Sequence, residues 1–407
     1  MCKATGLGNN SLGRVQTPVL AAISRRYRER ENHISSDSWP IYISLQKDGI
    51  LFKMRRTQDL PDKESATMFF QDCKLAHQAQ ITGISHSVKE ILPPDLLDLT
   101  QLQKEANIRY GFTASEVYDI AQSLYEKKLI SYPRTSSRYL TEDVFDSLPP
   151  IMACLLSWEL FPAAKGTGGI DISNLSRHVI SAEKANVHHA IIITGIRPGN
   201  LSEKEMQVYR LVAGRMLETF MAPCRIETTN VEAVCAAQHF KAEQTRIIEA
   251  GWHDVFMRYD MIPTSGYSVK ELPEVEKGDT LNVCGCNMVH KKELPVDPFT
   301  DAELVEYMEL NGLGTVSSRT NIIRTLVNRK YIRYSGKYIV PTPKGMFTYE
   351  TIRGKKIADT SLTADWEKQL AGLESGMITG QDFLNRIRTL AKEMTDDIFN
   401  TYSTKEE

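Results

Sequence analysis

At 407 residues the chain is too long for one ordinary hydrophobic core, and at roughly 150 residues per domain it should divide into two to four. A hydrophobic share of 42% with 25% charged residues excludes an intrinsically disordered chain. A formal net charge of −2 excludes a globally basic nucleic-acid binder, so contact with a polyanion must come from local patches.

No apolar run approaches the roughly 20 residues that span a bilayer. MCKATGLGNN lacks the apolar centre of a signal peptide. Both point to a cytoplasmic protein with no membrane association. The seven cysteines are scattered and odd in number, against a disulfide framework. Cys284 and Cys286, with His290 just beyond, form the only close pair. One such pair is a poor zinc signal, and small residues on a strand explain it as well.

In chain order, a helix is expected over 17–30, with Pro18 tolerated in its first turn. WPIYISL and ILFKMRR flank a Lys-Asp-Gly turn and read as strands, followed by a helix after residue 62 and a strand at ITGISHSV. Pro93-Pro94 stops this region. Thr113 and Glu116 form a capping box, and Val117, Ile120, Ala121, Leu124 and Tyr125 then fall on one apolar helical face. Pro133 limits that helix, which is expected to run to about 128. Further helices are expected at 141–158, 181–190 and 203–220. Alternating residues bring strands back over 225–286. One β-rich domain entered twice, with 95–222 inserted between its halves, is the simplest account. Thr300 and Glu303 cap a helix to about 310, a second covers 317–329, and 331–340 reads as a hairpin turning at Ser335-Gly336. Helix, helix, hairpin is a winged-helix-like pattern, in which the second helix and the wing contact DNA.

Two basic clusters lie in these elements. Arg319, Arg324, Arg329, Lys330, Arg333, Lys337 and Lys344 occur without an intervening acid, and Arg25, Arg26, Arg28 and Arg30 occur with only Glu29 among them. A charge run is commonly a solvated face, but the winged-helix-like setting of the first favours DNA contact.

Three segments could carry chemistry. In LISYPRT, Tyr132 is expected to end a helix, stiffened by Pro133. A phenol is a weak nucleophile at neutral pH, its ordinary pKa being about 10. Arg134, two residues on, can stabilise a phenolate or grip the phosphate it attacks. In HHAIIIT, His188 and His189 point in different directions on any regular element, so one of them can serve as a phosphate-contacting proton carrier. A satisfied, partly buried pair is the alternative. In SLGRVQTP, a helix start with exposed N–H groups joins Arg14 and Gln16, a combination that suits a phosphate or a base edge. It suits a plain helix cap equally.

Read together and in order, SLGRVQTP, YPRTSSRYL, HHAIIIT and GLGTVSSRTNIIRTLVNRKYI resemble the motif series of type IA DNA topoisomerases. The stretch PPDLLDLTQLQKEANIRYGFTASEVYDIAQSLYEKKLISYPRT resembles the topoisomerase III branch, and TPKG and TADWEKQL extend the resemblance over nearly the whole chain. It implies ATP-independent breakage of one DNA strand through a 5′-phosphotyrosine link, strand passage and religation. By motif position Tyr132 is the nucleophile, Arg134 steadies the scissile phosphate, and His188 contacts the phosphate and assists proton movement. Ser11, Arg14 and Gln16 fall in the single-strand-binding loop, and Thr315, Ser318 and Arg319 in the carboxy-terminal groove motif.

The implied fold is a multidomain α+β toroid. A helical DNA-groove domain is split between 1–38 and 288–407, a β-rich arch between 39–94 and 223–287, and a helical gate carrying Tyr132 occupies 95–222. The implied partners are single-stranded and underwound duplex DNA, met by a nucleoid-associated monomer. The family's acidic TOPRIM domain, which binds Mg2+, is expected to be missing here and to act in cis or in trans, so no metal is expected on this chain. That makes the chain either a piece of a longer enzyme or a shortened relative, without plasmid-relaxing activity alone. The family's Arg-Thr-Asp-Ser reads Arg134-Thr135-Ser136-Ser137 here, so a carboxylate is lost. Ser136 and the missing domain leave open a non-catalytic single-strand-binding or decatenation-accessory protein. A plain winged-helix regulator explains only 300–344.

Overall fold

The computed structural model describes residues 12–158, 160–162, 170–185, 188–257, 265–374 and 376–403. Helix α1 (Gln16–Glu31) leads into a two-residue strand β1 (Asp37–Ser38) and the hairpin β2 (Ile41–Lys47) and β3 (Ile50–Arg56). The hairpin turns through Asp48 (φ 50°) and Gly49 (φ 80°), two successive left-handed residues that match the twist of the paired strands. Helix α2 (Lys63–Leu75) and the long strand β4 (Gln78–Ile91) follow.

After the helical insert come β5 (Cys224–Cys235), β6 (Gln238–Glu249) and β7 (Thr280–Met288). These close with the earlier strands into a barrel of order β2-β3-β6-β5-β4-β7. The long β4–β5 pairing runs from Gln80↔Val234 to Ile91↔Cys224, and β7 seals the barrel by pairing with both β2 and β4. Alternate residues turn inward: Ile41, Ile43 and Leu45 of β2 meet Phe52, Met54, Ile81, Ala233 and Phe240 in one core. Alternation alone would put Cys284 and Cys286 on one face, but the register of β2 against β7 shifts between Ser44 and Leu45 and skips Cys284. Cys284 is exposed and Cys286 half-buried, with Cys286 packed against the barrel core.

Between the barrel halves lie α3 (Leu99–Tyr110), α4 (Ala114–Glu126), α5 (Glu142–Asp146), α6 (Leu148–Ser157), α7 (Ala182–Ala185) and α8 (Glu203–Phe220). The Thr113–Glu116 capping box is formed. α8 opens on a second one, Ser202–Glu205, whose Glu205 also accepts from Ser123 and Lys127 beside α4. These bonds, Lys127 foremost, hold the Glu205 carboxyl down at about 2.

Two expected helices differ. The one at 141–158 is broken into α5 and α6, because Pro149 and Pro150 are tolerated only in a first helical turn. The one at 181–190 shortens to α7. From His188 the chain is extended instead, with Ile191 bridged to Leu97 and Ile193 to Ile130. Three successive β-branched isoleucines favour that state, and all three are buried.

Strand β8 (Lys291–Lys292) pairs with β1, forming a two-residue antiparallel ribbon. Helices α9 (Asp301–Leu310) and α10 (Val316–Asn328), the hairpin β9 (Ile332–Ser335) and β10 (Tyr338–Pro341), and α11 (Pro343–Ile352), α12 (Thr360–Glu374) and α13 (Gly380–Ser403) complete the chain. α1 shares its core with these carboxy-terminal elements: Val19, Leu20 and Ile23 pack with Leu304, Ile323, Leu326, Tyr331 and Ile339. Gly345, in the TPKG motif, lets α11 approach the Tyr331 carbonyl so closely that a Cβ there would lie 2.0 Å from the oxygen. No described helix is long and apolar enough to cross a membrane.

Candidate active site and strand-binding cleft

The two motifs YPRT and HHAIII form one structure. Residues 129–135 run antiparallel to 188–194. The Ser131 amide donates to the Ile192 carbonyl at 2.8 Å and the Thr194 amide to the Leu129 carbonyl at 3.1 Å. The Thr135 hydroxyl donates to the His188 carbonyl at 2.8 Å. Leu97 flanks the other edge, accepting from the Ile191 amide at 2.8 Å. Tyr132 therefore does not end α4. It lies on a non-helical segment six residues beyond Glu126, just past the pairing of 129–131 with 192–194 and next to Pro133.

The pairing puts the Tyr132 and His188 rings 4.4 Å apart, centroid to centroid. His188 is exposed and Tyr132 half-buried, so an imidazole stands beside a phenol at a solvent-facing edge. His189 faces elsewhere, its Nδ1 2.8 Å from the Ala190 carbonyl. Arg134 lies against α4. Its Nη2 donates to Gln122 Oε1 at 3.2 Å and its guanidinium carbon is 5.0 Å from the centre of the Tyr118 ring. The Arg134 Nε is buried and without a hydrogen-bond partner among the described residues.

The two groove motifs also meet. A cleft of about 320 Å3 is lined by Gly13, Arg14 and Gln16 at the start of α1 and by Gly314, Thr315 and Ser318 at the start of α10. Two helix amino termini thus open onto one space, each a positive dipole end. Gly314 adopts φ 80°, and a Cβ there would lie 2.8 Å from the Ser318 hydroxyl, so glycine keeps the cleft open. The Thr315 amide donates to Ser318 Oγ at 2.8 Å. Gln16 accepts from Arg329 at 2.9 Å, and the Arg14 guanidinium lies 5.6 Å from the Trp366 ring centre. Ser11 lies outside the described residues.

Arg319 is placed differently from its neighbours in the motif. It is 8% exposed and donates to Thr100 of α3 at 3.0 Å and to Glu309 of α9 at 3.3 Å. Arg324 bonds Ser115 and pairs with Asp119 at 2.7 Å. The basic run is therefore divided: Arg319 and Arg324 tie the helical insert to the carboxy-terminal unit, while Lys330, Arg333 and Lys337 sit at the hairpin. The α1 cluster is structural too. Arg26 reaches Glu303, Arg28 Glu350, and Arg30 Asp297.

The seam between insert and carboxy-terminal unit is crossed by further polar pairs. Gln103 donates to Thr320 at 2.9 Å with both side chains buried, and Lys104 pairs with Glu306 at 2.6 Å. Asp301 accepts from the Ala114 amide at 3.3 Å and from the Tyr334 hydroxyl at 3.1 Å. Burial pushes the Asp301 carboxyl up to about 6. Sequence reasoning missed Asp301 and Glu309 in this role, since a capping residue and a helical acid look the same whether exposed or clamped.

A second cleft, about 470 Å3, is lined by Ser136, Arg138, Asp95, Asp98, Lys184 and Glu309 among others. Arg138 pairs with the buried Asp98 at 2.7 Å. Burial raises the Asp98 carboxyl despite that cation and the Gln101 amide it caps. Among the described residues no group of three or more His, Cys, Asp or Glu side chains is arranged to hold a metal ion.

The family model described as DNA topoisomerase matches residues 1–385. DNA topoisomerase 3 of Bacillus licheniformis is 30% identical over 413 residues, covering 95% of this chain and 56% of the relative. DNA topoisomerase 3 of Bacillus subtilis is 30% identical, over 97% of this chain and 57% of the relative. DNA topoisomerase 1 of Methanocaldococcus jannaschii is 30% identical, over 98% and 50%. The chain thus spans about half the length of these curated relatives. Full-length topoisomerase I from Thermotoga maritima superposes with a TM-score of 0.72 at 23% identity, over 96% of this chain and 64% of that one. The fold is accordingly the multidomain α+β type IA fold.

Proposed function

The chain belongs to the DNA topoisomerase family, as a type IA, topoisomerase III-like member, and from that premise we propose that Tyr132 is the nucleophile of a DNA strand-breaking and rejoining reaction. The observation that carries this reading is the Tyr132–His188 contact, made by two motifs that the extended pairing of 129–135 with 188–194 brings together.

In this reading the Tyr132 Oη attacks a backbone phosphorus, a P–O bond to the 3′-oxygen breaks, and a 5′-phosphotyrosine and a 3′-hydroxyl result. The reverse attack by that hydroxyl restores the strand and frees the phenol. Bond count is conserved, so no ATP is needed. His188 is suited to take the phenol proton and return it, and Arg134 to neutralise charge on the phosphate. Gly13 to Gln16 with Gly314 to Ser318 would cradle the single strand, phosphates meeting the two helix starts. Any magnesium ion used in the complete reaction would be held outside the described residues.

The polar make-up of the seam supports a gate reading for 95–222. Ion pairs and hydrogen bonds such as Lys104–Glu306 can be exchanged for water at modest cost, whereas a purely apolar interface cannot. The barrel, built from 39–94 and 223–287, would be the arch of a toroid. Underwound duplex DNA would be the substrate of the whole protein, in the cytoplasm and beside the nucleoid.

A trapping assay tests the reading. A single-stranded oligonucleotide labelled at either its 5′ or its 3′ end is mixed with the chain, with and without a TOPRIM domain and magnesium salt, then quenched in detergent. Retention of the 3′ label on the protein, and not the 5′ label, is expected. Intact strand binding with no adduct in any mixture overturns the reading in favour of a non-catalytic strand-binding protein, the alternative that Ser136 at the family's aspartate position favours.

A further inference from the structure

Tyr132 and Arg134 stand two residues apart, and both side chains turn to the same side, Tyr132 against Tyr125 and Arg134 against Gln122 and Tyr118. On that side lies α4. Its residues Tyr118, Gln122 and Tyr125 are spaced i, i+4, i+7 and form one stripe along the helix. The Tyr125 ring stands edge-on to Tyr132, centroids 5.4 Å apart and planes at 78°. With His188 at 4.4 Å, Tyr132 has an aromatic neighbour in each of two motifs.

Gln122 is used at both ends of its amide. Its Nε2 donates to Glu126 at 2.8 Å and its Oε1 accepts from Arg134 at 3.2 Å, so Glu126 fixes which end faces the guanidinium. A neutral oxygen grips a cation without cancelling its charge, and the Tyr118 ring beneath does the same through its quadrupole. A carboxylate in place of Gln122 would hold Arg134 harder and take its charge away from a phosphate. The stripe sits on a rigid element. Its first turn is capped by Thr113 and Glu116, and its last is tied to α8 through Ser123.

We infer that the Tyr118–Gln122–Tyr125 stripe of α4 is the positioning surface of the reaction, Gln122 and Tyr118 setting the guanidinium of Arg134 and Tyr125 setting the ring of Tyr132. This rests on the reading of Tyr132 as nucleophile. The three are positioning residues, acting through Arg134 and Tyr132.

The test compares Gln122→Met, Gln122→Glu, Tyr125→Leu and Tyr125→Phe with the unaltered full chain. Modification of Arg134 by phenylglyoxal and nitration of Tyr132 by tetranitromethane are read by mass spectrometry of digests, and adduct yield by oligonucleotide trapping. Gln122→Met should speed Arg134 modification several-fold, and Gln122→Glu should slow it below the unaltered rate. Both should lower adduct yield about tenfold with strand affinity unchanged, since misplaced catalytic groups lose rate rather than binding. Tyr125→Leu should raise Tyr132 nitration and lower adduct yield, and Tyr125→Phe should restore both. Opposite changes in Arg134 reactivity from two substitutions at one site do not arise from a loosened fold. Equal Arg134 and Tyr132 reactivity in all five proteins overturns the inference. Absence of any adduct from the unaltered chain counts against the nucleophile alone, because the two modification rates decide the positioning without it.

Discussion

Arg319 of α10 pairs with Glu309 of α9 within the carboxy-terminal unit, 3.3 Å apart, and the same guanidinium crosses the seam to Thr100 on α3 at 3.0 Å. One side chain thereby links three helices and both sides of the seam. It is turned away from the cleft that its motif neighbours Thr315 and Ser318 line.

Replacing it should separate stability from strand binding. Arg319→Ala leaves Glu309 without its cation and opens a buried contact, at a cost of about 2 kcal/mol, less than for a fully buried pair because Glu309 keeps some solvent. Thermal melting should show that loss, while affinity for a single-stranded oligonucleotide changes less than about threefold. A large affinity loss with unchanged melting would return Arg319 to the strand-binding residues.

Arg14 should behave in the opposite way. Arg14→Ala is expected to weaken single-strand binding at low salt and to reduce the slope of log affinity against log salt by about 1, the signature of one lost phosphate contact. Fluorescence anisotropy across a salt series measures both. An unchanged slope would remove Arg14 from the strand path.

Stability should fall with rising pH through Asp301. Its carboxyl is raised from 3.8 to about 6, chiefly by burial, against the Ala114 amide and Tyr334 hydroxyl that favour its charged form, with Glu116 adding to the rise. A raised folded-state pKa favours the protonated form, so this contribution is complete below 3.8 and lost as pH rises through about 6. The interval corresponds to about 3 kcal/mol. Asp301→Asn should be more stable than the unaltered chain at pH 7.5, with no advantage at pH 3.5. Denaturant midpoints at the two values check this, and a variant equally destabilised at both would refute it.

Gly345→Ala tests the approach of α11 to the hairpin. Helix propensity alone favours alanine by about 1 kcal/mol, but the added Cβ would lie 2.0 Å from the Tyr331 carbonyl oxygen. A net loss of at least about 2 kcal/mol is expected, read as a lowered melting temperature. A gain would mean that α11 shifts freely.

Local signals were the most legible part of the fold. Thr113 with Glu116 and Thr300 with Glu303 announce helix starts, and both capping boxes are formed. Lys-Asp-Gly announces the β2–β3 turn, and alternation announces strands on both sides of the insert. Closure of β4 onto β5 into a barrel is a long-range pairing that no local pattern encodes. The 181–190 stretch was read as helical because composition alone does not show that Leu97 and Ile130 flank Ile191–Ile193. Tyr125 was grouped with the apolar face of α4, yet it is 39% exposed and serves as a neighbour of Tyr132. At the site, motif order brought Tyr132, Arg134 and His188 to attention. Gln122 and Tyr118 carried no signal beyond lying beside the core-facing stripe of α4, where Tyr118 also packs against the core, and the inward turn of Arg319 cannot be told from a basic run.

The most direct test of Tyr132 as nucleophile is to map the covalent link. A trapped adduct with a single-stranded oligonucleotide is digested with nuclease and protease, and the peptide carrying residual nucleotide is sequenced by mass spectrometry. The account predicts one modified peptide containing Ser131-Tyr132-Pro133, with nucleotide joined to the Tyr132 oxygen through a 5′-phosphate, and no modified peptide from Tyr132→Phe. Nucleotide on any other tyrosine, or an undiminished adduct in Tyr132→Phe, would contradict it.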